Sequence, residues 1–255
     1  MFSPEAVAEF DQLDFADIST LVARAERSLV ESISGRELSP VSKLPNKALA
    51  IAHTAMRRNL EITRAFAAAF NERLYIPLFV LSRAAVETGC LVFDVYAKTA
   101  SMLDAHDKAA LVDYDERVMR VLLGSKSTAA AGDPEQYQAL NVLTVIDRLD
   151  KTTHEGLREM YDALSEYAHP NYAGLLESYT EPHPDSGSTE FLRDPLTANA
   201  LLLEVPFSLV AAGLSMSIIA VEQLRARCEE LAALCEEALH DEGDWPEGLA
   251  YPIER

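Results

Sequence analysis

The segment 78–96 reads LFVLSRAAVETGCLVFDVY, and its apolar side chains would cover most of the circumference of a helix. A helix that is apolar on all sides belongs in the centre of a helical protein. Arg83, Glu87 and Asp94 interrupt it, and at about 100° per residue they fall with Cys90 in one stripe roughly 60° wide. Burying an unpaired charge costs several kcal/mol. The charged side chains of this stripe therefore either pair with one another or line a cleft or a subunit interface.

Apolar residues recur at helical spacing along nearly the whole chain, whereas the alternation of a half-buried strand is almost absent. This pattern predicts an all-α fold, a bundle of long antiparallel helices forming one domain over 1–255. N-terminal helices fill 1–40, the core bundle 41–240 and an extended tail 241–255. The predicted helices cover about 4–13, 19–34, 44–72, 76–103, 107–123, 141–150, 154–169 and 197–240.

Two segments break the helical pattern. Residues 124–138 are rich in Ser, Ala, Gly and Pro and are typical of a loop. Residues 171–195 contain several prolines, and we expect an irregular insertion there or a small hairpin that pairs 174–180 with 188–192. Residues 205–221 carry no charge, but the run is short for a membrane span, so a buried core helix is the better interpretation.

The formal net charge is −19, whereas a protein that binds duplex DNA normally has a cluster of basic residues. The N-terminal residues are acidic and lack the basic start of a secretory signal peptide. Three cysteines without framework spacing are typical of reduced thiols. We therefore expect a cytoplasmic protein with no membrane contact, no cofactor and no bound metal.

Two further segments could carry chemistry. On the helix at 44–72, His53, Arg57 and Arg64 share one face, which is either a solvated face or a site for an anion or phosphate. Residues 161–171 read YDALSEYAHPN, so His169 is the last residue before Pro170 must end a helix. A histidine there either caps helix carbonyls or performs general acid or base chemistry. Nearby polar side chains that could bind a substrate are Tyr161, Ser165 and Asn171.

The combination of R-x-x-x-E on an apolar helix with Y-x-x-L-S-x-x-x-H-P-N resembles a family of bacterial helical proteins of unknown function, allied distantly to the HEPN superfamily. The resemblance covers about 48–177. It implies a helical bundle, often a homodimer, and in some members a metal-independent endoribonuclease of a toxin–antitoxin or phage-defence system. On this interpretation His169 is the acid or base, Arg83 stabilises the transition state and Glu87 orients them. Asn171, Arg57, Tyr161 and Ser165 would bind the RNA.

Two alternatives remain open. HEPN ribonucleases carry an Arg shortly before the catalytic His, but the matching positions before His169 hold Asp162, Ala163 and Leu164, and only Arg148 and His154 have that spacing. A non-catalytic, antitoxin-like interaction module that binds a protein partner is therefore an alternative. A di-iron carboxylate bundle is the second alternative. Its ligands would be Glu61, Glu87, Glu166, His169, Glu237 and His240.

Overall fold

The computed structural model describes residues 1–124, 138–153, 156–183, 185–242 and 249–251. Helices dominate these residues, and the sheet found among them is a single two-stranded hairpin, which confirms the all-α prediction. Residues 125–137 of the loop predicted at 124–138 lie outside the described residues, as do His154 and most of the tail predicted at 241–255.

The helices and strands have the following bounds. The α-helices are α1 (Pro4–Glu9), α2 (Phe15–Ser28), α3 (Gly35–Leu38), α4 (Leu44–Asn71), α5 (Tyr75–Asp104), α6 (Ala110–Leu123), α7 (Val142–Thr153), α8 (Leu157–Ala168), α9 (Pro195–Ala198), α10 (Glu204–Ala226) and α11 (Cys228–Glu242). A π-helix covers Tyr172–Glu177 and a 3₁₀-helix covers Ala200–Leu203. Strands β1 (Thr180–His183) and β2 (Ser188–Phe191) form the antiparallel hairpin.

The single long helix predicted at 197–240 is wrong, because the chain forms α9, the 3₁₀-helix, α10 and α11 there. Asp194 caps α9 through the backbone N–H of Thr197, and the side chain of Asn199 donates to the carbonyl of Pro195 and ends the helix. Pro206 is tolerated because it lies in the first turn of α10, where a backbone N–H has no partner within the helix.

The strand predicted at 174–180 is also wrong over most of its length. Tyr172–Glu177 is a π-helix, and β1 begins only at Thr180. Asn171 caps the π-helix, Gly174 is its buried position, and Ser178 is buried at its C-terminal cap. The hairpin insertion predicted within 171–195 is nevertheless present, with Glu181 opposite Glu190 in its register.

Residue contacts divide the chain into two compact units, and the first comprises Met1–Arg27, Arg58–Gly89 and Ile146–Ser215. Its core contains a cluster of phenylalanines with ring centroids 4.8 to 5.9 Å apart, namely Phe2, Phe10, Phe15, Phe66, Phe70 and Phe207. Within this unit, α5 packs closely on α10. The Ser82 hydroxyl donates to the Pro206 carbonyl at 2.7 Å, and Gly89 lies against the backbone of Gly213.

The second unit comprises Ser28–Arg57, Cys90–Val145 and Met216–Arg255. Asp94, the last charged residue of the α5 stripe, is buried here and pairs with Arg117 of α6. Residues 249–251 run back along the start of α4, where Lys43 donates its N–H to the Leu249 carbonyl at 2.8 Å. Each unit is assembled from several separate segments, and the single domain over 1–255 stays a prediction.

Two helical segments are long and apolar enough to cross a membrane when judged by length and composition. They are Tyr75–Asp104 and Ala200–Ala226, and 44% and 50% of their most apolar windows are buried inside the protein. Buried core helices pass the same test, so the expected cytoplasmic location stays a prediction.

Candidate active site

Arg83, Glu87 and Tyr161 form a closed hydrogen-bonded group in the first unit. Arg83 and Glu87 lie one turn apart on α5, and Tyr161 reaches them from α8. The Tyr161 hydroxyl donates to Oε1 of Glu87 at 2.7 Å. The Nε of Arg83 lies 3.0 Å from both the Tyr161 hydroxyl and Oε1 of Glu87. Of the two alternatives for the polar stripe, the pairing of Arg83 with Glu87 is therefore present, and Tyr161, 78 positions away from Arg83, completes the group.

Partial burial and these hydrogen bonds set the charges of the group. Burial disfavours the charge on Arg83, but hydrogen bonds to Glu87 and Tyr161 outweigh that effect and raise the pKa of the guanidinium. Burial, and then the hydrogen bond to Glu87, raise the pKa of the Tyr161 phenol. Arg83 is consequently a fixed cation, and Tyr161 is a neutral hydrogen-bond donor at neutral pH.

His169 lies at the C-terminal end of α8, and its side chain is close to that of Arg83. Nη1 of Arg83 is 3.4 Å from Nε2 of His169, although the two residues are 86 positions apart. A guanidinium has only N–H donors, so Nε2 must be the acceptor in this long contact. As a hydrogen bond, the contact uses the tautomer of His169 that has its proton on Nδ1. The His169 side chain is exposed, so its ring is accessible from solvent.

A tight chain reversal follows His169. The Asn171 side-chain oxygen accepts the backbone N–H of Gly174 at 3.0 Å and caps the π-helix, while its amide donates to Oε2 of Glu166 at 2.6 Å. Gly174 packs against the His169 carbonyl so closely that a Cβ on Gly174 would lie 2.0 Å from that oxygen. The π-helix is thus held against the end of α8. Sequence reasoning missed Gly174 and Glu166 as partners of this turn, although an Asn three residues before a Gly is a recognisable capping pattern.

The other predicted substrate-binding residues make local contacts. The Ser165 hydroxyl donates to the Tyr161 carbonyl one turn earlier on α8, at 3.0 Å. Arg57 belongs to the second unit, where its guanidinium donates to the carbonyl of Val30. On the same helix, Arg64 pairs with Glu26 at 2.5 Å in the first unit. The RNA-binding roles of Ser165 and Arg57 stay predictions.

Among the described residues, no group of three or more His, Cys, Asp or Glu side chains is placed to hold a metal ion. The six side chains proposed as di-iron ligands are therefore not gathered into a ligand cluster. Glu87 instead binds Arg83 and Tyr161, and Glu166 binds Asn171.

Comparisons with known proteins do not identify a relative. No protein-family model, curated protein or solved structure matches this chain. The HEPN-like relationship stays a prediction.

The arrangement combines two groups that a phosphoryl-transfer site needs. The guanidinium of Arg83 is a fixed cation, and its partners on α5 and α8 restrict its orientation. Nε2 of His169 lies 3.4 Å from that cation on an exposed side chain, and an imidazole nitrogen can exchange a proton. Together they can bind a phosphate and accept a proton from a hydroxyl group beside it.

Proposed function

We propose that this chain is a metal-independent endoribonuclease of HEPN-like character, with Arg83 and His169 as its catalytic pair. The observation that carries the proposal is the 3.4 Å separation between Nη1 of Arg83 and Nε2 of His169. The separation supports the proposal because a cation that binds a phosphate and a group that accepts a proton must reach adjacent oxygens of one nucleotide.

In the proposed reaction, RNA supplies its own nucleophile, the 2′-hydroxyl group. When a phosphate binds, Nη1 of Arg83 turns from His169 to a non-bridging oxygen, and Nε2 becomes free to take the 2′-hydroxyl proton. The 2′-oxygen forms a bond to phosphorus while the bond to the 5′-oxygen breaks. The products are a 2′,3′-cyclic phosphate and a 5′-hydroxyl group, whose proton comes from solvent, and the imidazolium then loses its proton to solvent.

Glu87 and Tyr161 are positioning residues in this proposal. They hold the Nε edge of Arg83 through hydrogen bonds of 3.0 Å each, which leaves the Nη groups to meet the phosphate. Asn171 and Ser165, which belong to the same unit as Arg83 and His169, are proposed to contact the RNA. A homodimer, a cytoplasmic location and a role in a toxin or phage-defence system follow from the family resemblance and are part of the same proposal.

The decisive experiment measures cleavage of single-stranded and structured RNAs in EDTA. We expect the wild type to cleave and the His169→Ala variant to lose about 10²- to 10⁴-fold in rate, which is the usual contribution of general acid–base catalysis. His183→Ala is the matched control, because His183 is an exposed histidine of the same unit, on β1. The products should carry 2′,3′-cyclic phosphates, and DNA of the same sequence should stay intact. Wild-type cleavage that survives unchanged in His169→Ala would refute the assignment.

A second variant separates the charge of Arg83 from its geometry. Arg83→Lys keeps the positive charge but loses the planar fork that binds Glu87, Tyr161 and phosphate together. We expect a loss of about 10²-fold in cleavage rate. Arg158→Lys is the control, because Arg158 is a partly exposed arginine on α8 whose partners are Asp147 and Asp162. Equal rates for Arg83→Lys and the wild type would exclude the proposed role.

A non-catalytic interaction module is the second candidate function. The net charge of −19 favours it, because an acidic field repels the phosphates of RNA. If the wild type cleaves none of the RNAs, this candidate replaces the nuclease. Binding of iron by the purified protein would instead revive the di-iron alternative.

A further inference from the structure

A cavity in the second unit is lined by a buried histidine whose ring has an unpaired nitrogen. The cavity has a volume of about 280 Å³, and its walls are the chain after α2, α3, α4, the end of α10 and the start of α11. His53 of α4 belongs to this lining and is only 6% exposed, and its Nδ1 has no hydrogen-bond partner among the described residues. Buried polar groups almost always have a partner, so a molecule bound in the cavity can supply the one that Nδ1 lacks.

The buried part of the cavity wall is otherwise apolar. Leu49 lies one turn before His53 on α4 and is 4% exposed, and Cys228 at the start of α11 is also buried. Burial raises the pKa of the Cys228 thiol, so this side chain is uncharged at neutral pH. The other apolar residues of the lining are Val30, Ile33 and Leu38. A ligand that fits these walls has a compact apolar body.

Two arginines place positive charge near the imidazole. Arg225 of α10 lines the cavity, and Arg57, one turn after His53 on α4, donates to the carbonyl of Val30 in the cavity wall. Burial lowers the pKa of the His53 imidazole, and the charges of Arg225 and Arg57 lower it further. The ring is therefore neutral at neutral pH and lies in a positive potential. With its proton on Nδ1 it needs an acceptor, and the potential favours a negatively charged one.

The rim of the cavity limits the charge and the size of this anion. Among the described lining residues, Glu37 on the exposed rim carries the single carboxylate, and it repels a second negative charge on the ligand. A monoanion is therefore favoured over a phosphate dianion. The volume is at the lower end of the range of about 300–1,000 Å³ that is usual for small-molecule sites, so the ligand is small.

We propose that this cavity binds a small organic monocarboxylate with a compact apolar body. Its carboxylate accepts a hydrogen bond from Nδ1 of His53 and pairs with Arg225, and its apolar body packs on Leu49. Binding of an anion is one of the two alternatives that the sequence leaves open for this face of α4. The cavity belongs to the second unit, and the proposal does not rest on cleavage of RNA by Arg83 and His169, which belong to the first.

Benzoate is the probe, because it joins a carboxylate to a compact apolar ring. Benzamide has the same shape without the charge, benzylamine has the opposite charge, and inorganic phosphate is an anion without an apolar body. Binding to the full chain is followed by NMR with isotopically labelled histidine, so that the imidazole nitrogens of His53 report contact with the ligand directly. His53→Phe identifies those signals and removes Nδ1 while it keeps a ring at the buried position.

Arg225→Gln removes the cation at an exposed position, where substitutions rarely disturb the fold. Arg36→Gln is the matched control, because Arg36 is an exposed arginine of the same unit whose guanidinium lies over the Tyr251 ring, 4.9 Å from its centroid. Both variants change the net charge equally. Circular dichroism verifies that these variants and His53→Phe are folded.

Benzoate should shift the His53 signals of the wild type and bind with a dissociation constant of about 1 mM or below. Arg36→Gln should bind within about twofold of the wild type, because a distant charge is screened by salt. His53→Phe and Arg225→Gln should each bind about tenfold or more weakly, since each loses a hydrogen bond or ion pair to a charged group. Glu37→Gln should bind benzoate more tightly, because it removes the negative charge at the rim.

Benzamide and phosphate should each bind the wild type about tenfold or more weakly than benzoate, and benzylamine should leave the His53 signals unchanged. The proposal fails if benzoate does not shift these signals, because water alone then satisfies Nδ1. Equal affinity of the wild type and either His53→Phe or Arg225→Gln for benzoate would also overturn it. Tighter binding of phosphate or of benzylamine than of benzoate would do so too, because the apolar walls or the arginines would then not select the ligand.

Discussion

Two buried tyrosines of the first unit show how much a hydroxyl group depends on its partners. Tyr75 and Tyr161 are both only 2% exposed. The Tyr161 hydroxyl joins Arg83 to Glu87, whereas the Tyr75 hydroxyl has no hydrogen-bond partner within the described part of the chain. Burial raises the pKa of Tyr75 above its ordinary value, so the phenol stays neutral. The hydroxyl of Tyr161 thus holds two side chains of the candidate site together, whereas the hydroxyl of Tyr75 is a buried polar group without a hydrogen-bond partner among the described residues.

Tyr75→Phe should therefore leave the free energy of unfolding unchanged or raise it by up to about 1 kcal/mol, because it removes a buried donor that has no acceptor. Tyr161→Phe is the contrasting variant. It should lower the free energy of unfolding by about 1.5–3 kcal/mol, the range for hydrogen bonds to charged groups. Urea titration of both variants measures the difference. A larger loss for Tyr75→Phe than for Tyr161→Phe would contradict this reasoning.

At the scale of elements, α5 contacts three other helices of the first unit, each through a different face. Arg83 and Glu87 face α8, Thr88 accepts the side chain of Arg58 from α4, and the side of Gly89 faces α10. The crossing with α10 is close because glycine has no side chain at that point. A Cβ added to Gly89 would lie 2.5 Å from the Gly213 carbonyl oxygen, and a Cβ added to Gly213 would lie 2.5 Å from the Ala85 backbone.

Gly213→Ala should consequently destabilise the protein, even though alanine is the better helix former by about 1 kcal/mol. The new methyl group meets backbone atoms that cannot rotate away, and overpacking costs about 1–3 kcal/mol, toward the upper end of that range where backbone must move, which exceeds the gain in helix propensity. Thermal and urea unfolding measure the loss. Ser208→Ala, at an exposed position of α10, is the control and should change the stability by less than about 0.5 kcal/mol. A Gly213→Ala variant that is more stable than the wild type would show that α5 and α10 are farther apart at Gly89 and Gly213 than described.

For the whole molecule, 41 acidic residues oppose 22 basic ones. Several of the basic residues are already in ion pairs, such as Lys47 with Asp115 at 2.6 Å and Arg73 with Glu9 at 2.8 Å. Even if each of the 22 basic residues neutralised one carboxylate, 19 negative charges would remain, and net self-repulsion of this kind destabilises a compact state.

Moderate salt should therefore raise the stability of the wild type. Going from about 0.01 M to about 0.1 M salt shortens the Debye length from about 30 Å to about 10 Å, which screens distant repulsion while ion pairs at contact distance weaken little. We expect the thermal midpoint to rise over this range. Glu181→Lys/Glu190→Lys makes the net charge less negative and should show a smaller rise. A falling midpoint would mean that local ion pairs outweigh the general repulsion.

Sequence periodicity alone was sufficient to predict an all-α protein and the bounds of α4, α5 and α6 to within a few residues. It offered the pairing of Arg83 with Glu87 as one of two interpretations of the polar stripe on α5. These features depend on residues within a few helical turns of each other, where side-chain spacing and capping decide the outcome. The end of α8 at Ala168 is equally local, because Pro170 prevents its continuation.

Only the tertiary structure decided which distant groups meet. The contacts of Arg83 with Tyr161 and His169 join residues 78 and 86 positions apart, and the Gly89–Gly213 crossing joins still more distant segments. Periodicity indicates which face of a helix is buried but not which helix covers it, because many pairings bury similar apolar area. The π-helix could not be predicted either, because its large apolar residues point outward, opposite to the pattern from which burial is inferred.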